Sequence, residues 1–223
     1  MDLDAFRCDG ALHLTGVFDA DQVDALAALA GEGPGQRLRN SGLLALIAPA
    51  TAVASALVGK DAQAVRAVLF DKTPTANWAV AWHQDRTIVV RERHEVEDFG
   101  PWSRKDGLLH VAPPIGVLEG MVTLRIHLDP CGSDNAPLRA ALGSHRLGNV
   151  AAREAGVLAA QHFQIACLAE PGDVWAYSTP ILHASARART PSRRRVLQVD
   201  YAAAALPGGL AWAGVENKAY SAA

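Results

Sequence analysis

From about Val65 onward, the hydrophobic residues of this chain change from helical spacing to alternation, and that change limits the folds open to it. Eight short alternating runs follow: Val65–Phe70, Asn77–His83, Gly107–Val111, Met121–Asp129, Ile165–Leu168, Val174–Tyr177, Ile181–Ala186 and Arg194–Ala202. Gly, Pro and Asp separate them, most plainly at Pro171-Gly172-Asp173, as expected of a sandwich or barrel. Before Val65 the pattern is helical. Asp19 or Asp21 can cap a helix carrying Val23, Leu26, Ala27 and Ala30, ended by the Gly-rich stretch at 31–35, and a second helical region covers Leu43–Val58. No strand alternates with a helix, which argues against a doubly wound parallel sheet. The expectation is a mainly β fold: a double-sheet core at 65–205 with a mainly helical part at 1–64 packed on one face. A tail at 206–223 completes one domain of 223 residues.

The strand faces carry further information. In Met121–Asp129, Val122, Leu124, Ile126 and Leu128 share one face, opposite Thr123, Arg125 and His127. In Arg194–Ala202, Leu197, Val199 and Tyr201 face with Arg195, whereas Gln198 and Asp200 face with Arg194. If helices cover the apolar faces, the polar ones line either a cavity or bulk water.

Charge and cysteine content narrow the function classes. A formal net charge of −2 provides no global field for nucleic acid or an anionic membrane. Three cysteines without paired spacing (Cys8, Cys131 and Cys167) are neither a disulfide framework nor a Cys-type zinc site. The uncharged run Gly42–Gly59 is short for a membrane span and is interrupted by Pro49, so a buried helix broken near the proline accounts for it better. The N-terminus is acidic and lacks the pattern of a secretory signal. A cytoplasmic location is expected.

The chemistry converges on three residues. His83 and Asp85 end a strand two residues apart, so both side chains leave on one side, and His183 on a distant apolar strand can complete the set. Two imidazoles and a carboxylate with open positions form the facial triad of non-haem Fe(II) oxygenases. His13, His94, His110 and His162 read better as hydrogen-bonded structural residues. Two other readings use the same ligands: a jelly-roll protein that binds metal or an acid without turnover, and a metal-dependent hydrolase using zinc.

Three segments resemble the phytanoyl-CoA dioxygenase family: NWAVAWHQD at 77–85, RIHLDPCGSDNAPLRAALGSHRLG at 125–148, and PGDVWAYSTPILHAS followed by RRRVLQVDY. The resemblance runs in order from about Lys72 to Tyr201. It implies a double-stranded β-helix (jelly-roll, cupin-like) core, Fe(II), 2-oxoglutarate as co-substrate, O2, and hydroxylation of a small organic substrate with release of succinate and CO2. Position by position, it implies His83, Asp85 and His183 as iron ligands. Arg194, eleven residues after His183, then becomes the 2-oxoglutarate arginine, and Ser185 contacts the same carboxylate. Gln84, Trp102 and Asn77 resemble positions near the co-substrate. Asp85 points to hydroxylation, since halogenating relatives have a small residue there. Leu142-Gly143-Ser144-His145 and Asn135-Ala136-Pro137 depart from the family pattern in structural loops.

Arg187, Arg189, Arg193, Arg194 and Arg195 lie close together. Either one functional arginine stands among solvated bystanders, which is the better reading, or the bystanders receive an anionic substrate. Trp82, Trp175 and Trp212 read as core or pocket walls.

Overall fold

A computed structural model describes residues 1–216. Residues 217–223 of the expected tail lie outside the described residues. The helices are α1 (Leu3–Asp9), α2 (Ala20–Ala27), α3 (Leu43–Leu46), α4 (Ala48–Val58), α5 (Ile115–Glu119) and α6 (Ala155–Ala159). The strands of the first half are β1 (Ala11–Leu14), β2 (Gly35–Arg37), β3 (Gln63–Lys72), β4 (Val80–His83), β5 (Ile88–Val90), β6 (Trp102–Lys105) and β7 (Leu108–Val111). Those of the second are β8 (Met121–His127), β9 (Leu138–Ala141), β10 (Gln164–Cys167), β11 (Val174–Ser178), β12 (His183–Ser185) and β13 (Arg194–Ala202). They form a six-stranded sheet in the order β1-β11-β8-β13-β3-β2, a four-stranded sheet β10-β9-β12-β4, and a three-stranded sheet β5-β7-β6. The first two carry the double-sheet core that the alternation predicts.

Local chemistry explains the helices. Asp19 and Gln22 form a reciprocal capping box at the start of α2, which buries Val23 and Leu26. The break in the second helical region comes at Ile47, and Pro49 sits in the first turn of α4, where its missing N–H costs nothing. Ala50 and Ala54 are the buried face of α4; their small size lets the helix lie close to β8. Among the described residues no helix is long and apolar enough to cross a membrane.

These helices cover one face of the six-stranded sheet, where Leu69, Leu124, Ile126, Leu197 and Tyr201 are fully buried. Each contributes about 1.5–3 kcal/mol relative to exposure, so this layer outweighs any single polar contact in holding the fold. The four-stranded sheet is also covered: α6 packs over Trp82, Ala141 and Leu182. Gly172, in the Pro-Gly-Asp turn before β11, adopts φ +91°, and a Cβ there would meet the Phe18 carbonyl at 2.2 Å. Only glycine fits.

Two expectations are corrected, and the mainly helical segment 1–64 also supplies both edge strands, β1 and β2, of the six-stranded sheet. The strand expected at Asn77–His83 begins only at Val80, because Asn77 clips the Ala188 backbone from a loop. The strand expected at Ile181–Ala186 shrinks to β12, as the Ile181 N–H turns back to Ser178.

The other face of the six-stranded sheet is polar yet buried, and its side chains stand in cross-strand rows. Arg66, Asp200, Thr123 and Tyr177 form one row; Val68, Gln198, Arg125 and Trp175 the next. Phe70, Val196 and His127 form a third row, and Lys72 and Arg194 a fourth. The polar alternation of β8 therefore lines the interior rather than bulk water.

His127 has both ring nitrogens unpartnered and buried. Burial first, then Arg125 and Arg194, depress its pKa to about 3. The folded state thus binds fewer protons than the unfolded one between the ordinary histidine pKa and about 3. Stability should be fully present above about pH 6.5 and fall as the pH drops through this window, by up to about 1.4 kcal/mol per pH unit. Urea unfolding from pH 7 to 4.5 measures the slope, and His127→Leu should flatten it. An equal slope in the variant would mean His127 takes up its proton in the folded state.

Candidate metal centre

Strands β4 and β12 pair antiparallel with His183 directly opposite His83, bringing the ring centroids to 4.3 Å. Asp85 follows two residues after His83, and one donor atom from each of the three side chains lies within 4.8 Å of the others. In each histidine Nδ1 lies near the carbonyl two residues before it: Ala81 at 2.8 Å for His83, and Ile181 at 2.9 Å for His183. A carbonyl only accepts, so Nδ1 carries the proton and Nε2 keeps its lone pair for the centre of the cluster. That donor set fits a divalent metal with open coordination positions. Burial lowers the His183 pKa to about 4, and Asp85 only partly offsets this, so the imidazole stays neutral as a ligand must.

The Asp85 carboxyl is steered from the opposite sheet. Arg66 approaches it at 3.6 Å and Gln198 Nε2 at 3.5 Å. Burial works against its ionisation, but Arg66, His183 and His83 outweigh that and hold its pKa below the usual value. Asp200 also pairs with Arg66; burial and the nearby Asp85 charge push its pKa up despite that pairing.

Next to the triad a cavity opens between the two sheets. Its polar lining is Lys72, Arg125, Ser185 and Arg194, with Phe70, Trp78 and Leu138 as apolar walls and His83 and His183 at one end. Arg194 is 3% exposed, donates to the Ala136 carbonyl, and leaves its Nε unpartnered. The parity expected for the three adjacent arginines is observed. Arg194 turns inward, while Arg195 forms a two-pronged bond with Asp129 and Arg193 another with Asp71. Arg189 pairs with Asp134 and Arg187 is exposed. Arg194 is thus the member of the cluster that lines the cavity.

Three other candidates go elsewhere. Gln84, between His83 and Asp85, points away from them. It donates to the Gly148 and Pro180 carbonyls and accepts from Val150 N–H, which clamps the strand end. Asn77 holds the Ala188 backbone in the loop after β12. Trp102 lies in the three-stranded sheet under Arg93. None of the three lines the cavity. The structural readings of Ser144, which bonds the Ala141 carbonyl and the Leu182 N–H, and of His13, stacked on Trp175, agree with their positions.

The sequence pattern passed over Lys72. Its ammonium donates to the Trp78 carbonyl at 2.7 Å and lies 3.4 Å from Ser185 Oγ. Burial, then Arg194 and Arg125, lower its pKa to about 8. Alternation from Arg66 through Val68 and Phe70, carried two residues beyond the expected strand end, would have put it on the inner face.

Comparison with known proteins adds a family and a fold. The sequence profile of the phytanoyl-CoA dioxygenase family matches residues 6–196. No curated protein matches the chain. Among solved structures, EctD from S. alaskensis in its apo form superposes with a TM-score of 0.67 at 22% identity, covering 97% of this chain and 80% of that one. EctD has also been solved with Fe, and with 2-oxoglutarate and 5-hydroxyectoine. SnoK, a non-heme α-ketoglutarate-dependent carbocyclase from nogalamycin biosynthesis, gives 0.65 at 15% identity over 89% of this chain and 81% of that one. HygX from Streptomyces hygroscopicus, with nickel and 2-oxoglutarate bound, gives 0.59 at 17% identity over 90% and 85%. At these identities the likeness shows the jelly-roll fold.

Proposed function

The chain belongs to the phytanoyl-CoA dioxygenase family, and from that premise we propose that it is an Fe(II)- and 2-oxoglutarate-dependent oxygenase that hydroxylates a C–H bond of a small organic substrate. One observation carries the reading: a His-Asp-His cluster with its Nε2 lone pairs free opens onto a cavity whose far end holds the inward Arg194 and Ser185. Structural neighbours with iron or nickel and 2-oxoglutarate support the same cofactors here. A zinc hydrolase would have no use for a buried arginine turned into the same cavity, whereas a dicarboxylate co-substrate does.

In this reading His83, Asp85 and His183 hold the metal, and Arg194 with Ser185 holds the far carboxylate of 2-oxoglutarate. Bound iron supplies dioxygen activation, in which 2-oxoglutarate goes to succinate and CO2. The protein contributes geometry. The carbonyls of Ala81 and Ile181 orient the imidazoles, Arg66 keeps Asp85 ionised, and the apolar walls at Phe70, Trp78 and Leu138 exclude water. Asp85 occupies the position where a halide would otherwise enter, which favours hydroxylation.

Succinate release measured across a library of small metabolites under 18O2, with Fe(II) and 2-oxoglutarate supplied, should identify substrates that gain one labelled oxygen. Labelled succinate formed with no label in the substrate-derived product would sink hydroxylation and leave an oxidative cyclisation or epimerisation. No 2-oxoglutarate binding to the metal-loaded protein would sink the oxygenase reading.

A further inference from the structure

A second group of polar side chains gathers around Arg66, at the opposite end of the inner rows from Lys72 and Arg194. Arg37, on the edge strand β2, pairs with Val68 and so joins the row of Val68 and Gln198. His110, on β7, is 1% exposed, and its Nδ1 lies 3.4 Å from the hydroxyl of Thr87, two residues after Asp85. Arg66 links them: it lies 3.6 Å from Asp85, and its charge is felt by both Arg37 and His110. Both arginines have counter-charges. Asp85 and Asp200 share Arg66, and Asp106 in the turn between β6 and β7 pairs with Arg37.

Acceptors, rather than negative charge, are what this group lacks. Arg37 spends a terminal nitrogen on Asp106, and its Nε is buried without a partner; His110 Nε2 is buried and unpartnered as well. Burial first, then Arg66, Arg37 and Lys105, lower the His110 pKa to about 4, so the ring is neutral. With the Thr87 hydroxyl donating to Nδ1, the one ring proton sits on Nε2. Buried N–H donors are costly until an acceptor meets them. Asp85, Asp106 and Asp200, all bound to these arginines, oppose a doubly charged ligand. A carboxylate satisfies both conditions, since its two oxygens match the edge formed by Nε and a terminal nitrogen of an arginine.

Resting on the oxygenase reading, we infer that Arg37 and His110 bind a carboxylate of the substrate that is oxidised, which makes that substrate a small monocarboxylic acid. Two strand spacings, roughly 9–10 Å, separate the backbones of Arg37 and Gln198. Gln198 Nε2 in turn is 3.5 Å from Asp85. An acid anchored at Arg37 therefore lies across Arg66 from the His-Asp-His cluster, and its anchored end decides which C–H bond is turned toward the metal. The cations Lys72 and Arg194, two rows further along the sheet, remain for the co-substrate.

The test is a ligand-observed NMR titration of anaerobic Ni(II)-loaded protein saturated with 2-oxoglutarate, so the co-substrate cavity is filled and no turnover is needed. The probes are butanoate, hexanoate and benzoate, the primary amide of each, and methyl phosphate. The acids should bind about tenfold or more tightly than their amides. Arg37→Gln should weaken the acids by about tenfold while leaving 2-oxoglutarate binding as it was, and Arg37→Lys, which lacks Nε, should fall between. Asp106→Asn removes the competing carboxylate and should tighten the acids by about threefold, which a merely structural Arg37–Asp106 pair would not do. His110→Phe should weaken the acids, and Thr87→Val replaces it if that variant does not fold. Acids and amides binding alike, no acid binding, or tighter binding of methyl phosphate than of the acids overturns the assignment. So does acid affinity that fails to fall in Arg37→Gln or to rise in Asp106→Asn, and unchanged affinity in the His110 and Thr87 variants removes His110 from the site. Failure of the metal-loaded wild type to take up 2-oxoglutarate overturns the oxygenase reading and the assignment together, whereas uptake without acid binding overturns the assignment alone.

Discussion

His183→Ala is expected to leave a folded protein that neither retains Fe(II) nor forms succinate. His183 contributes one of three clustered donors, and its Nδ1 is already committed to the Ile181 carbonyl, so no neighbouring nitrogen can replace Nε2. Losing a residue that merely orients a ligand typically costs about 10–100-fold in metal affinity or activity. Losing the ligand itself should exceed that. The fold should persist because the apolar layer beneath the helices lies on the opposite face of the six-stranded sheet from the triad. Removing a buried imidazole also removes a group that burial keeps from charging. Metal content after anaerobic reconstitution, circular dichroism and succinate assays together decide the matter. A His183→Ala protein with stoichiometric iron and normal turnover would remove His183 from the ligand set.

The second large effect separates adjacent arginines. Arg194→Lys should raise the KM for 2-oxoglutarate steeply, whereas Arg195→Lys should leave it unchanged. A buried carboxylate deprived of its partner loses about 3–5 kcal/mol, which is about two to four decades in binding. Lysine keeps the charge but not the fork, so it should fall within the lower part of that range. Arg195 lies on the other face, where its fork closes on Asp129 at 2.9 and 2.7 Å. Its replacement by lysine should show as a small loss of thermal stability rather than as a kinetic defect. Initial rates at varied 2-oxoglutarate for both variants test this, and a KM effect confined to Arg195→Lys would invert the assignment of the inner face.

The parts of this molecule that were legible in the sequence are those where periodicity lasted long enough to read. The seven residues of β8 and nine of β13 alternate without interruption, and their register places Arg125, His127, Arg194 and Gln198 on the inner face. The His-Asp-His cluster was legible because His83 and Asp85 sit at i and i+2 on a strand end. The misses have physical causes as well. β1, β2, β5, β6 and β9 are three or four residues long, too short to show a period. Gln84, Asn77 and Trp102 lie near the His-Asp-His cluster in sequence or resemble family positions near the co-substrate, but strand alternation, a loop clip and a separate sheet carry them away from the cavity. Lys72 was missed at a strand end, where β3 runs two residues past its apolar run.

The two edge strands from the N-terminal segment also bear on how copies of this chain behave toward one another. An unpaired sheet edge is a template for a strand from another molecule, and short edge strands are one way to blunt it. β1 offers four residues and β2 only three, and they shield β11 and the ten-residue β3, in which Ala64, Val65, Ala67, Val68 and Leu69 are buried. A chain lacking its first 37 residues would bare both of those inner strands. The opening segment is thus a guard against self-association as well as a cover for the core.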